Sequence, residues 1–132
     1  MQIKWLDSTL SHSKCKWKVA VGHHPLFTTG ARRNGLRDVR QSFLPYFEKY
    51  QVDAYFAGHE HDLQHQKPEG HTHYFVSGAG SELRPVTVDV KQTMFAVSEN
   101  GFMNVSIFYN ELVLSVVNIQ GKVIYSYNLN KY

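Results

Sequence analysis

Apolar residues recur at helical spacing in two segments of the chain. The first segment lies at the start of the sequence, and its apolar positions are Ile3, Leu6 and Leu10. This period predicts an amphipathic helix over residues 2–12. The second segment, LRDVRQSFLPYFEKY, predicts a helix over residues 36–50, which Pro45 is expected to kink or shorten.

Short apolar runs that end at a glycine predict buried strands. The run KWKVAVGHHP stops at Gly22, the run VDAYFAGHEH stops at Gly58, and a third run, THYFVSGAGSEL, also ends in glycines. Each of the first two runs is followed directly by histidine. With the helix over residues 36–50 between them, these two runs predict a strand-helix-strand unit.

The last third of the chain has a different pattern. After polar sequence over residues 84–93, apolar and β-branched residues alternate or cluster from Met94 onward. Turn signals interrupt them at residues 99–101, 110–111 and 120–121. This pattern predicts an antiparallel meander, and the whole chain is predicted to form one α/β domain, or a piece of one, over residues 1–132.

Composition excludes some classes of protein. The 132 residues are 42% hydrophobic and 19% charged, which is ordinary for a globular domain. The net charge of +3 is too small and too diffuse to favour a nucleic-acid partner. No apolar run approaches the length needed to cross a membrane, the start does not resemble a signal peptide, and the sequence leaves the compartment open. The lone Cys15 excludes an intrachain disulfide and a thiolate-rich metal site.

Histidine is the unusual residue, with eight in the chain and none after His73. Neutral imidazole is a common metal ligand, and His59 and His61 lie at i and i+2, on one face of an extended segment. His23 and His59 both follow a strand and a glycine, and parallel strands joined by a helix end at the same sheet edge. From the residues alone, metal ligation by His23, His59 and His61 and a purely structural role remain alternatives. The other histidines are expected on an exposed helix face or in loops: His12, His65, His71 and His73.

Two motifs together resemble a known family. VAVGHHPLFTTG and YFAGHEHDLQH are similar to the G-H-x-P and G-H-x-H blocks of the calcineurin-like metallophosphoesterases. The later V-S-G-A-G makes the chain most similar to small purple (tartrate-resistant) acid phosphatases, over residues 2–130. The resemblance implies the C-terminal half of a four-layer α/β/β/α sandwich. It also implies hydrolysis of phosphate monoesters at a dinuclear centre of iron with zinc, manganese or a second iron.

The same resemblance implies roles for individual residues. His23 and His59 would ligate the second, divalent metal, and His61 would ligate the first, usually ferric, metal. His24 occupies the variable position of G-H-x-P and is a candidate for substrate contact. Arg32, which is followed by Arg33, stands where the family often has another histidine near the leaving group. Asp62 is a candidate to orient a histidine ligand, although an exposed aspartate is the simpler interpretation.

The family's first three blocks, D-x-H, G-D-x-x-Y and G-N-H-E/D, have no counterpart in the sequence. Glu60 does not replace their carboxylates, because it points away from its histidine neighbours in an extended segment. The chain alone is therefore expected to be inactive and to hold at most one weakly bound metal. An exposed sheet edge that invites self-association is also expected. The alternatives are a non-catalytic metal-binding or partner-binding module and, less favoured, a basic nucleic-acid binder.

Overall fold

The computed structural model describes residues 1–32, 35–88 and 91–132. In chain order the elements are α1 (Gln2–His12), β1 (Val19–Gly22), α2 (Arg37–Lys49), β2 (Ala54–Ala57), β3 (Leu63–Gln66), β4 (His73–Ser77), β5 (Thr93–Val97), β6 (Gly101–Ile107), β7 (Glu111–Asn118) and β8 (Val123–Asn130). Both predicted helices and the strand-helix-strand unit are confirmed, and α2 continues past Pro45 without ending there. The loops predicted over residues 28–35 and 84–93 include residues 33–34 and 89–90, which lie outside the described residues.

Two sheets organise the chain. The first has the strand order β1-β2-β4-β3-β5, with β1, β2 and β4 mutually parallel and β3 antiparallel to both of its neighbours. The second is an antiparallel sheet in the order β6-β7-β8. The α/β class is therefore confirmed, with parallel strands first and antiparallel strands after them.

The prediction that the antiparallel meander begins at Met94 was wrong. Strand β5 pairs with β3 in the first sheet, where Phe95 lies opposite His65, so the meander consists of β6, β7 and β8 alone. Between β5 and β6, the Asn100 side-chain amide donates hydrogen bonds to the carbonyl oxygens of Ala79 and Ser81 at 2.8 and 2.9 Å. The predicted turn at residues 99–101 is therefore a corner between two sheets rather than a hairpin.

The layers are stacked as helices, first sheet and second sheet. One face of the first sheet packs against α1 and α2 in a cluster whose buried members include Leu6, Phe47, Tyr55 and Tyr74. The opposite face packs against the second sheet in a cluster that includes Leu63, Phe75, Leu112, Leu114 and Val116. In the described ranges no helix covers the outer face of the second sheet. The chain thus supplies three layers of the four expected from the family resemblance. No helix of the described ranges is long and apolar enough to span a bilayer.

Strand β3 was not predicted, and it corrects the expectation for two histidines. Its sequence, LQHQ, is mostly polar, yet all four residues are buried. His65 and His73 therefore lie inside the protein rather than in a loop, with His65 Nε2 2.8 Å from His73 Nδ1. His65 Nδ1 is also 2.8 Å from the Tyr125 hydroxyl of β8. Hydrogen bonds of this kind satisfy the buried polar groups and offset the cost of their desolvation.

Candidate metal site

Two parallel strands bring the histidines of the two Gly-His motifs to one edge of the first sheet. In the register of β1 and β2, Gly22 pairs with Ala57, so the two strands end level with each other. Just beyond them, the Gly58 amide donates a hydrogen bond to the His23 carbonyl oxygen at 3.1 Å. The carboxyl edge of parallel strands is where α/β proteins commonly bind ligands.

Three imidazoles form a compact cluster at this edge. One ring nitrogen each of His23, His24 and His59 lies within 4.8 Å of the others. Nδ1 of His59 is 3.3 Å from Nε2 of His23, and the ring centroids of His24 and His59 are 4.5 Å apart. His23 and His24 are exposed and His59 is partly buried, so the cluster is open to solvent on one side. We name these three residues the histidine cluster.

His59 adopts an unusual backbone conformation. Its φ of 63° lies in the left-handed region, which side chains other than glycine rarely occupy. The Glu60 amide donates to the Gly58 carbonyl oxygen at 2.7 Å, which closes a tight turn around His59. A strained conformation of this kind costs about 1–3 kcal/mol and concentrates at functional sites. The turn directs the His59 ring toward His23 and His24.

The environment of His59 disfavours its protonated form. Burial lowers the pKa of His59 below its usual value, and the nearby positive charges of His24, Arg32, His23 and Arg84 lower it further. The imidazole is therefore mainly neutral near pH 7, which is the form that coordinates a metal. The chemistry of the histidine cluster suits zinc and similar divalent cations.

His61 lies outside the histidine cluster. Its Nδ1 atom is buried and has no hydrogen-bond partner among the described residues. Its carbonyl oxygen accepts a hydrogen bond from the Arg84 amide at 3.0 Å, which fixes the end of the turn. An unpaired buried imidazole nitrogen is costly unless a proton donor or a metal occupies it, so His61 also fits a ligand role.

The two carboxylates of this segment point into the protein instead of joining the histidines. Glu60 and Asp62 are both fully buried, so the interpretation of Asp62 as an exposed residue was wrong. Asp62 Oδ1 accepts a hydrogen bond from Gln64 Nε2 at 2.8 Å. Burial raises the pKa of Asp62 to about 7, the Gln64 hydrogen bond opposes this, and the Glu60 charge adds to it. The described residues of the histidine cluster include no carboxylate ligand.

Arg32 lies beside the histidine cluster. Its amide donates to Glu60 Oε2 at 3.1 Å, and its Nη1 donates to the His59 carbonyl oxygen at 3.4 Å. Sequence reasoning identified this arginine and missed Arg84, which follows an inconspicuous S-E-L segment with no motif around it. Arg33, which follows Arg32, lies outside the described residues.

Comparisons with known proteins show which proteins this chain is similar to. Residues 2–63 match the family described as calcineurin-like phosphoesterase. Purple acid phosphatase 17 of Arabidopsis thaliana is 30% identical over 96% of this chain and 39% of its own length. The chain therefore spans about two fifths of the length of this relative.

Solved structures show the same fold. GAP50, described as the anchor in the inner membrane complex of Plasmodium, superimposes with a TM-score of 0.90 at 25% identity, over 98% of this chain and 42% of that one. Purple acid phosphatase PPD1 from yellow lupin (Lupinus luteus) seeds superimposes with a TM-score of 0.82 at 18% identity, over 98% of this chain and 28% of that one. The second likeness concerns the fold alone. Residues 2–63 thus match the calcineurin-like phosphoesterase family, and the chain is similar to purple acid phosphatases in sequence and in fold.

Proposed function

We propose that this chain is the C-terminal portion of a metal-dependent phosphomonoester hydrolase of the purple acid phosphatase kind. In this proposal His23 and His59 hold one metal of a dinuclear centre, and His61 supplies a ligand of the other. The observation that carries it is the convergence of His23, His24 and His59 at the end of two parallel strands. Hydrolase activity in the purple acid phosphatase relative supports the reaction class.

The side chains fit metals in three respects. The histidine cluster offers closely spaced nitrogens, the low pKa of His59 keeps its ring neutral, and His61 Nδ1 is buried without a partner among the described residues. When bound, such metals would supply Lewis-acid stabilisation of the phosphoryl oxygens and a lowered pKa for water. His24 and Arg32 stand beside these ligands and would bind and orient the phosphate ester.

The chain alone supplies only the histidine part of this centre. Glu60 and Asp62 are buried in the protein, and no carboxylate belongs to the histidine cluster in the described ranges. The imidazoles of His23 and His59, with open positions for water, can hold one divalent cation, with lower affinity than a site completed by carboxylates. We therefore expect at most one weakly held metal and no turnover from these 132 residues.

The test is metal content together with hydrolysis of p-nitrophenyl phosphate, with iron, zinc or manganese supplied. We expect at most one metal per chain, lost in His59→Ala and retained in His12→Ala, an exposed histidine on α1. Two metals per chain with histidine-dependent turnover would contradict the partial site. Metal binding that is unchanged in His59→Ala would contradict the proposal that these histidines hold the metal.

The likeness to GAP50 favours a second candidate function. That protein is described as an anchor, and it shares the fold over 98% of this chain and 42% of its own length. The second candidate is a non-catalytic module that keeps the fold and binds a partner or a metal. The reading frame upstream of Met1 distinguishes the two: D-x-H and G-N-H blocks there support the hydrolase, and their replacement by other residues supports the module.

A further inference from the structure

Two short segments that flank the candidate metal site are joined by backbone hydrogen bonds. Gly30 and Val86 form an isolated antiparallel bridge. The amide and the hydroxyl of Thr87 both donate to the Thr29 carbonyl oxygen, each at 3.2 Å. The loop after β1 and the segment after β4 are therefore held next to each other, although more than fifty residues separate them.

The register of this bridge places the backbones of two arginines close together. In an antiparallel pair, each step forward on one segment is matched by a step backward on the other. Two residues beyond Gly30 is Arg32, and two residues before Val86 is Arg84. The bridge therefore brings the backbones of Arg84 and of Arg32, which lies in a turn, close to each other.

Both arginines are also attached to the turn that carries the metal-ligand candidates. Arg32 Nη1 donates to the His59 carbonyl oxygen at 3.4 Å, and the Arg84 amide donates to the His61 carbonyl oxygen at 3.0 Å. These hydrogen bonds hold both arginines at the edge of the turn that carries His59 and His61.

Arg84 is a partly desolvated cation. Its Nη1 atom is buried and has no hydrogen-bond partner among the described residues, while the side chain as a whole is partly exposed. A guanidinium group that has lost water on one side interacts more strongly with an anion on the other. Its planar fork matches the oxygen geometry of a phosphate.

We propose that Arg32 and Arg84 form a two-arginine clamp that binds the phosphoryl group of a phosphate monoester beside the histidine cluster. The inference rests on the proposed function and adds to it a substrate-binding residue, Arg84, that no sequence motif marks. In this arrangement the clamp neutralises the phosphate dianion and fixes its orientation toward the histidines. Because the clamp consists only of protein groups, it binds phosphate without a metal.

The test is titration of the metal-free 132-residue chain with inorganic phosphate, followed by 31P NMR. Arg84→Gln and Arg32→Gln are each expected to weaken phosphate binding about 10- to 100-fold, the effect of losing a charge-assisted hydrogen bond. Arg84→Lys, which keeps the charge and loses the fork, is expected to weaken binding less. The matched control is Arg37→Gln, which removes an exposed arginine at the start of α2 and should leave phosphate binding within about twofold of the unchanged chain.

A separate zinc titration in phosphate-free buffer distinguishes this inference from the proposed function. The clamp variants are expected to bind zinc like the unchanged chain, whereas His59→Ala is expected to lose zinc and keep phosphate binding. Zinc binding together with an Arg84→Gln variant that is folded and binds phosphate normally would overturn the clamp and leave the metal site standing. Arginine-dependent phosphate binding without any zinc binding would support the clamp and overturn the metal site.

Discussion

Nδ1 of His59 lies 3.3 Å from Nε2 of His23, although 36 positions separate the two residues in the chain. The contact follows from the parallel pairing of β1 with β2, in which Gly22 lies opposite Ala57. The histidine that follows each strand therefore lies at the same level of the sheet edge. The sheet thus brings the histidines of the two Gly-His motifs together, with their rings edge to face at 82°.

The left-handed conformation of His59 allows folding and metal binding to be tested separately. Asparagine tolerates a φ near 63°, so His59→Asn is expected to keep the free energy of unfolding within about 0.5 kcal/mol while metal binding is lost. Valine is β-branched and clashes in this conformation. His59→Val is therefore expected to lower the free energy of unfolding by about 1–2 kcal/mol more than His59→Asn does. Urea unfolding measures the stabilities and calorimetric zinc titration measures the binding. Equal stability of the two variants would contradict the strained turn.

Gly78 is expected to be the least replaceable glycine near the site. A Cβ atom added there would lie far inside van der Waals contact with the Glu60 carbonyl oxygen, in the turn between His59 and His61. Gly78→Ala is therefore expected to destabilise the protein by about 1–3 kcal/mol and to weaken metal binding by displacing the turn. Gly80→Ala is the matched control, because a Cβ at Gly80 meets nothing within 4 Å. The prediction is contradicted if urea unfolding shows the same loss of unfolding free energy for both variants.

The buried histidine pair predicts loss of stability in acid. Burial lowers the pKa of His65 to about 3 and that of His73 to about 4, and neighbouring positive charges contribute. Unfolding raises both values to about 6.5, so the unfolded state binds more protons and stability falls as the pH falls from about 6.5 toward 4. Each histidine contributes up to about 1.4 kcal/mol per pH unit to this slope. The raised pKa of Asp62, about 7, acts in the opposite direction, since its contribution is lost as the pH rises from about 4 to 7.

A variant isolates the contribution of the pair. His65→Gln removes one proton-binding group, so the slope of unfolding free energy between pH 6 and pH 4.5 is expected to fall by up to about 1.4 kcal/mol per pH unit. His12→Gln removes an exposed histidine and should leave the slope unchanged. Chelated, metal-free protein unfolded in urea at several pH values supplies the measurement. An unchanged slope in His65→Gln would show that the buried pair does not control acid stability.

The free edge of the first sheet predicts self-association. Strand β1 is one of the two edge strands of this sheet, with β5 at the other edge, and Val21 on β1 is 80% exposed. It borders an apolar groove of about 250 Å³ to which Trp5 of α1 contributes. Unpaired strand edges recruit further strands, so a concentration-dependent dimer is expected and Val21→Lys should weaken it. Val88→Lys, at an exposed valine outside the strands, is the control. Sedimentation that shows a monomer at all concentrations would refute this prediction.

The apolar periodicity and the positions of glycine and turn residues predicted the elements whose structure depends on local sequence. Local patterns are present in the two helices, in strands β1 and β2, and in the later antiparallel strands. Strand β3 has none, because its Gln64, His65 and Gln66 are buried by hydrogen bonds from distant residues rather than by apolar character. The assignment of β5 to the first sheet likewise depends on its pairing with β3, a strand that no local pattern indicates.

The candidate site divides in the same way. His23, His59 and His61 were predicted as metal ligands because a glycine and a strand precede each motif. The structure brings His23 and His59 together with His24, the predicted substrate contact, and leaves His61 outside the histidine cluster. The burial of Asp62 could not be predicted, since it depends on Gln64 and on the close approach of the Gly30 backbone. Arg84 enters the site through a bridge between Gly30 and Val86 that no local pattern indicates.

X-ray absorption at the zinc edge of the zinc-loaded chain tests the central claim most directly. The account predicts a zinc ion with two or three imidazole nitrogens at about 2.0–2.1 Å, completed by water oxygens. It also predicts that His59→Asn no longer binds zinc, whereas His12→Asn binds zinc with an unchanged number of imidazole ligands. A zinc ion bound mainly by carboxylate oxygens, or an imidazole count unaffected by His59→Asn, would contradict the histidine cluster as the metal site.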